Sequence, residues 1–597
     1  MAGGYPVLIL EKEKGLEGSV RAENSYRVSH GANLILGVHG FGIVRGRAVS
    51  QCEDLRQVLK TDETEADFRD LGNSIKGSLT LYLADRESNY YILPDPWGGG
   101  LVFYWEDARY VVASSSLPDL ITQLAMLGIR PKKSVGWLAT LGVTGNGGIY
   151  DSPFEGVRVL DQFLFIRMSK TKGLEILSYE SAQRTFSIDR SQARYAEALA
   201  EYTTEVAENI AALSEYPATH YLCHLTGGLD SRTVFSALSS TPYLKKYSIY
   251  TSGSDNTVDV KIARQVAAEA GVPFTRFSGL VPKLATRNAQ ENANWAMEET
   301  GGVISGPANI GLMENKSTIV LSGGYGEILR GFYGDFEPNQ SAEAKIRWLT
   351  DALLGIGAPS YSPFKNRGGL FKNSVIEQTR MRATGILKKH EELGLPADTL
   401  PEFAYFSLRN RFYVGEITRS ISQYALRADP LYAHSLFRLA FTKKRSERMN
   451  CFVQLDVARR FNQRLAALPY DKDRIGQDYV QYTVGSFSPQ EFSTGTQPHE
   501  VVITYPPARL VGNAAAIRIS DQDRKRAEEL RIPPRFVANE ARNKSRITGL
   551  ITGEYGSLIE TIFNIDVLQA MLKSNRNNRP QLRTLELLAN TFSWLES

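Results

Sequence analysis

Between Thr219 and Leu238 the chain reads Thr-His-Tyr-Leu-Cys-His-Leu-Thr-Gly-Gly-Leu-Asp-Ser-Arg-Thr-Val-Phe-Ser-Ala-Leu, an apolar stretch that passes through a Gly-Gly turn into a second one of different period. Tyr221, Leu222, Cys223 and Leu225 have the continuous hydrophobicity of a buried strand, whereas Thr233, Val234, Phe235, Ala237 and Leu238 suit a helix packing back onto the sheet. A strand, a glycine turn and a helix in that order predict an α/β sheet with its ligand at the carboxyl ends of the strands. Thr226 to Ser231 form the turn. Gly227 and Gly228 let the backbone come close to a ligand, and the free N–H groups at the helix start are donors for phosphate oxygens. Phosphate would repel the Asp230 carboxylate, so the expected role of Asp230 is to hold a bridging Mg²⁺.

A second stretch answers the first. Ser317-Thr-Ile-Val-Leu-Ser-Gly-Gly-Tyr-Gly-Glu-Ile-Leu-Arg-Gly-Phe-Tyr is again a hydrophobic strand that ends in small residues and an acid, Glu327. Neither stretch is the phosphate loop of kinases and GTPases, because no Gly-Lys-Ser/Thr follows four residues after a glycine anywhere in the chain. Thr-Gly-Gly-Leu-Asp-Ser instead resembles the Ser-Gly-Gly-x-Asp-Ser pyrophosphate loop of the N-type ATP pyrophosphatases, shared by the asparagine synthetase, β-lactam synthetase and GMP synthetase families. Leu321-Ser322-Gly323 is similar to the start of the second conserved segment of the asparagine synthetase relatives, which puts Glu327 where that family carries a metal-binding aspartate. The resemblance implies a nucleotide site of Leu225, Thr226, Gly227, Gly228, Asp230, Ser231, Ser252, Ser322 and Gly323, with Mg²⁺ on Asp230 and Glu327. Glutamate is one methylene longer than aspartate, so the metal or the phosphates would sit slightly differently.

Residues 1–185 read as a β-rich domain. From Gly77 to Ser116, Leu79, Leu81 and Leu83 alternate, Tyr91 to Leu93 form a second strand, Asp95-Pro96-Trp97-Gly98 turns, and Leu101 to Tyr104 and Tyr110 to Ala113 follow. This succession resembles the N-terminal-nucleophile (Ntn-type) glutaminase domain that precedes the synthetase domain in the asparagine synthetase family. Those glutaminases use an N-terminal cysteine with its own α-amine as base. This chain begins Met1-Ala2, with no Ser, Thr or Cys in its first five positions, so the domain is expected to have lost glutamine hydrolysis.

Residues 186–597 are expected to form the doubly wound α/β ATP-pyrophosphatase domain with helical extensions. A helix from Arg194 to Leu213 leads into the first strand, Lys246 to Gly253 is the next strand, and Asp259 to Ala270 is a helix capped by Gly271. Asp259 is read as an N-cap without chemistry, and His224 as a packed histidine. Residues 340–470 have a helical pattern, with Leu426-Arg-Ala-Asp-Pro read as a turn between helices, and 477–507 read as a polar insertion or loop. Tyr325, Glu416, Lys443 and Lys444 are candidates for deprotonating an amine or stabilising an oxyanion, each also compatible with a surface or packing role.

Composition narrows the partners. A net charge of +4 from 69 basic and 65 acidic residues gives no reason to expect nucleic acid or membrane. Cys52, Cys223 and Cys451 form neither a disulfide framework nor a zinc cluster, and no run of 18 apolar residues occurs, so a reducing cytoplasm is expected. The family resemblance implies adenylation of a carboxylate by ATP followed by attack of an amine. Without a glutaminase nucleophile the amine should come on the substrate itself, as in the β-lactam synthetases and the lasso peptide cyclases. The length and the Thr-Gly-Gly-x-Asp-Ser-Arg loop look more like the cyclases, which implies a leader-cleaved precursor peptide as substrate, with a leader protease and a leader-binding protein as associates. An ammonia-dependent amidotransferase, a β-lactam-type cyclase and a non-catalytic peptide-binding scaffold stay open.

Overall fold

The architecture is that of a computed structural model, which describes the chain except residues 1–4, 13–18, 24, 26–27, 32, 62, 145–146, 151, 180–184, 187–191, 252–254, 256, 279–288, 305–316, 335–339, 355–368, 423–424, 494, 496, 505–518 and 597. The chain is mixed α/β, with antiparallel sheets at its N-terminal end and a parallel sheet later.

The N-terminal strands are β1 (Val7–Glu11), β2 (Ser19–Glu23), β3 (Val28–His30), β4 (Asn33–Gly40), β5 (Gly42–Val44), β6 (Arg47–Val49), β7 (Leu79–Ala84), β8 (Tyr90–Pro94), β9 (Phe103–Glu106), β10 (Tyr110–Ser114), β11 (Arg158–Val159), β12 (Leu164–Ser169) and β13 (Gly173–Ser178). They form a five-stranded sheet in the order β11-β9-β10-β1-β2 and a six-stranded sheet in the order β13-β12-β8-β7-β4-β3; β5 and β6 pair with each other. Alternation along the strands builds four layers. Leu8, Leu10, Val111 and Ala113 of one sheet meet Leu36, Tyr82, Ile92 and Ile166 of the other in a shared core. On the outer face of the first sheet, Val7, Ile9 and Val112 pack under the helix Leu117–Met126. On the outer face of the second, Leu79, Leu81 and Leu83 pack under the helices Cys52–Arg56 and Glu65–Asn73. All six residues of β7 are therefore buried, where the sequence pattern predicted one polar face: Thr80 and Tyr82 lie against the opposing sheet rather than water.

The parallel sheet comprises β14 (His220–His224), β15 (Tyr247–Tyr250), β16 (Phe274–Ser278), β17 (Thr318–Leu321), β18 (Leu426–Ala428) and β19 (Glu500–Thr504). All its pairings are parallel and its order is β18-β17-β14-β15-β16-β19. Successive strands step outward from β14 to β16, then the chain returns to place β17 on the other side of β14. Both faces are covered. Cys223 and Leu225 join Val206, Ile210, Val234, Phe235 and Val266 from the helices Gln192–Glu215, Leu229–Ser239 and Val258–Ala270. Leu222 and Val320 point the other way, onto Ile421 and Ala425.

Two segments depart from the sequence reading. Leu426–Ala428 is an edge strand and not a turn between helices, and the polar span 477–507 holds the helix Gln477–Tyr482 and strand β19, which pairs with β16. Short edge strands need few apolar residues, so neither gives a strong pattern. The last helices, from Asp521 to Ser593, gather a separate cluster that includes Ile547, Leu568, Leu588 and Phe592 together with Leu138 of the N-terminal layers. Among the described residues no helix is long and apolar enough to cross a membrane.

Candidate active site

The sheet order reverses between β14 and β17, and in open α/β sheets the crevice outside such a reversal is where ligands bind. The two strand-loop-acid segments stand on its two sides: Thr226–Ser231 follows β14 and Ser322–Arg330 follows β17. Glycines let the loops touch. A Cβ on Gly323 would lie 2.8 Å from the Ser231 nitrogen, and one on Gly326 would lie 2.7 Å from Asp230 Oδ1.

The first loop is wound on itself. Ser231 Oγ accepts from the Thr226 N–H (3.0 Å), Thr226 Oγ1 accepts from the Gly228 N–H (3.2 Å), and Asp259 Oδ1 accepts from the Gly227 N–H (2.7 Å). Asp259 is thus not the N-cap of its helix; Thr257 is, and the carboxylate reaches back to the loop. The loop amides of Thr226, Gly227 and Gly228 thus already have protein partners. Arg232 anchors the loop from beneath: fully buried, it donates to the Leu465 and Pro469 carbonyls (both 2.9 Å) and stacks on Tyr470.

Asp230 and Glu327 are brought to one place, as expected, and an arginine that the sequence reading did not single out lies between them. Arg330 Nη2 is 2.8 Å from Asp230 Oδ2, its Nε donates to Oδ1 at 3.0 Å, and Nη2 is 3.9 Å from Glu327 Oε1. Gln454, on the helix Phe452–Phe461, donates from Nε2 to Asp230 Oδ1 at 2.7 Å. Burial alone would raise the Asp230 pKa, but Arg330 and Gln454 outweigh it and hold the group below the usual carboxylate range. Glu327 goes the other way: burial and then the Asp230 charge push it up to about 7, and Arg330 offsets them in part.

This donor set fits Mg²⁺. Two carboxylates whose mutual repulsion is incompletely cancelled favour a cation, and Gln454 Oε1 beside them is buried without a hydrogen-bond partner. Mg²⁺ is commonly held by one or two carboxylates, waters and substrate phosphates, and among the described residues no cluster of three or more His, Cys, Asp or Glu suited to a metal occurs. A cation on Asp230 would have to displace Arg330.

In the second loop, Ser322 Oγ accepts from Arg427 at 2.9 Å, and the Gly324 N–H donates to Asp429, which also accepts from Thr418. Tyr325 takes φ +71° between two glycines, and its buried ring faces the Trp97 turn of the N-terminal layers. There it packs on Trp97 and Tyr432, while Trp97 stacks on Tyr432 at 4.1 Å. Asp95 joins these segments by accepting from the Gly99 and Gly100 amides and from the Tyr432 hydroxyl. Leu225 is buried at the end of its strand, and its N–H donates to the Tyr250 carbonyl. Ser252 lies outside the described residues.

The other candidate proton-transfer groups are not gathered here. Glu416 is fully buried and ion-paired with Arg419, whose Nη1 is 2.6 Å from His39 Nε2 in the N-terminal layers. Lys443 is held by Glu447 at 2.9 Å and lies over the Tyr195 and Tyr482 rings. Lys444 is exposed. Arg330 had one available sequence signal, its place three residues after Glu327; Gln454 had none.

No protein-family model matches the chain, and no curated protein does.

Proposed function

We propose that the chain is an ATP-dependent, AMP-forming carbon–nitrogen ligase that adenylates a carboxylate and joins it to an amine of the same substrate, a macrolactam-forming cyclase acting on a leader-cleaved peptide. One observation carries the nucleotide part of this reading: two glycine loops, each ending in an acid, meet at the order reversal of a parallel sheet. The N-terminal four-layer packing beside it supports the two-domain plan of the asparagine synthetase relatives.

A carboxylate does not condense with an amine at neutral pH, so its oxygen would attack the α-phosphorus of ATP and break that atom's bond to pyrophosphate; the amine would then add to the acyl carbon, lose a proton and expel AMP. Mg²⁺, when bound, neutralises charge on the departing pyrophosphate. Asp230 and Glu327 would hold it, with Gln454 Oε1 as a further oxygen. Arg330, released from Asp230, then has its guanidinium available for phosphate oxygens, for which its planar fork is suited. Holding the two reacting ends of one peptide together in a well-oriented geometry can supply up to roughly 7 to 11 kcal/mol of the barrier, more than a single basic residue contributes.

The test is a product assay. A leader-free peptide incubated with Mg·ATP should yield AMP, pyrophosphate and a peptide lighter by one water. A primary amide formed from ammonia would favour the amidotransferase reading, cyclisation of a small β-amino acid the β-lactam synthetase reading, and ATP binding without turnover a peptide-binding scaffold.

A further inference from the structure

On the far side of the Trp97–Gly100 turn from the acid site, a cavity of about 420 Å³ opens between the N-terminal layers and two helices. Its walls come from β9 and β11 at the edge of the five-stranded sheet, from the helix Asn373–Glu392, and from the wide-turned π-helix Tyr405–Gly415. A π-helix of eleven residues is unusual, and such windings concentrate at functional sites.

The lining is cationic. Arg158, Arg382, Lys389 and Arg411 face Asp161 as the one carboxylate among the residues that line it. Asp161 pairs with Lys389 at 2.7 Å, and among the described residues no carboxylate is in ion-pair contact with Arg158, Arg382 or Arg411, although the charges of Asp161 and Asp95 reach Arg411. Arg411 is the floor. It exposes 6 % of its surface, and its partners are carbonyls, Leu160 O at 2.6 Å and Gly98 O at 3.4 Å. Ser407 Oγ, on the same π-helix and also lining the cavity, is buried without a partner. Arg158 and Arg382 stand exposed at the rim, Arg382 over the Tyr150 ring at 3.9 Å. Phe403 and Phe412 add apolar wall. Burial of this Arg411 guanidinium is costly: the charges of Asp161 and Asp95 offset it only in part and neither carboxylate is in ion-pair contact, so a further anion at the floor would be favoured.

We propose that this cavity is a binding site for a small oxyanion, a carboxylate or phosphate group carried on an aromatic or apolar body. Arg411 and Ser407 meet the oxyanion at the floor, Arg158 and Arg382 close over it from the rim, and Phe403 and Phe412 hold the body. The site is separate from the Asp230–Glu327 acids and does not depend on adenylation. Its floor is coupled to the second loop by two glycines: a Cβ on Gly98 would lie 2.8 Å from Arg411 Nε, and one on Gly99 would lie 2.7 Å from the Tyr325 hydroxyl.

The probes are phenyl phosphate and phenylacetate, titrated calorimetrically into the full chain. Saturable binding of either supports the site, and the preferred probe tells phosphate from carboxylate. Arg158→Gln and Arg382→Gln should each weaken that binding about tenfold or more, the value of one charge-assisted hydrogen bond, with Mg·ATP affinity measured in parallel unchanged. On the unsubstituted chain, the bound probe should protect Arg158 and Arg382 from phenylglyoxal, read by peptide mass spectrometry. No saturable binding of either probe, or binding that neither depends on the two arginines nor protects them, would overturn the proposal.

Discussion

Arg330 grips both carboxylate oxygens of Asp230, at 2.8 and 3.0 Å, although the two residues stand on loops that leave different strands on opposite sides of the sheet's order reversal. The ion pair is partly shielded, with each side chain 18 % exposed, so it fastens the loops together in the place where a cation would be held.

Asp230 is therefore more than a loop residue, and its replacement has two effects. Asp230→Asn keeps the shape but removes the charge, which should lower Mg²⁺-dependent ATP/pyrophosphate exchange on the order of 10²-fold, about 3 kcal/mol of barrier. Thermal unfolding should show a loss of about 1–3 kcal/mol, because Arg330 loses its nearer counter-charge and keeps only Glu327 at 3.9 Å. Near-normal exchange would remove Asp230 from the metal role.

Cation binding at the proposed site should depend on pH through Glu327. Its carboxyl is raised to about 7 by burial and by Asp230, so the folded chain keeps a proton there that the unfolded chain has lost. Glu327 thus lowers stability as pH rises from the ordinary glutamate range to about 7. A divalent cation competes with that proton, so the Mg²⁺-induced rise in melting temperature should be small at pH 6 and larger at pH 8. In Glu327→Gln the dependence should flatten; if it persists, another group titrates.

Gly323→Ala tests the contact between the loops. The added methyl would meet the Ser231 nitrogen and the Asp230 carbonyl carbon at under 3.0 Å, backbone atoms that cannot swing aside. The sheet should survive with a cost of about 1–3 kcal/mol, while ATP affinity falls at least tenfold. Unchanged affinity by equilibrium dialysis would separate nucleotide binding from the meeting of these loops.

Glu416→Ala should behave as a folding variant. It leaves Arg419 buried with His39 and no counter-ion, at a cost of about 3–5 kcal/mol in urea unfolding. Removing both charges, as Glu416→Gln with Arg419→Met, should cost less than the single change. Lost turnover with unchanged urea stability in Glu416→Ala would restore Glu416 as a proton-transfer candidate.

What could be read in the sequence is what short-range pattern encodes. Strands β7, β8 and β10, the helix from Val258 and its Gly271 cap at φ +65° stand where periodicity and turn residues put them, whereas β9 starts two residues later than the pattern Leu101 to Tyr104 suggests. The meeting of Asp230 with Glu327 was legible because each acid closes a strand-and-glycine segment. Arg330, Gln454 and Asp259 were not, since each acts through a contact set by the order of strands, to which the local pattern is blind. Tyr325 was selected for its chemistry, but its left-handed backbone aims it at Trp97.

Strand β19 joins the sheet at its edge after roughly 220 residues of intervening chain, and since each doubling of a loop adds about 0.6 kcal/mol of closure entropy, this pairing costs roughly 3.5 kcal/mol more than a four-residue hairpin would. The final strand should therefore be late to arrive, both as the chain leaves the ribosome and on refolding. Until it does, β16 offers its backbone N–H and C=O groups to any other extended segment. A full-length chain whose β19 cannot pair, as with Pro in place of Val501, should therefore stick to its own copies while its hydrophobic clusters stay intact, which makes this edge the weak point in the protein's manufacture.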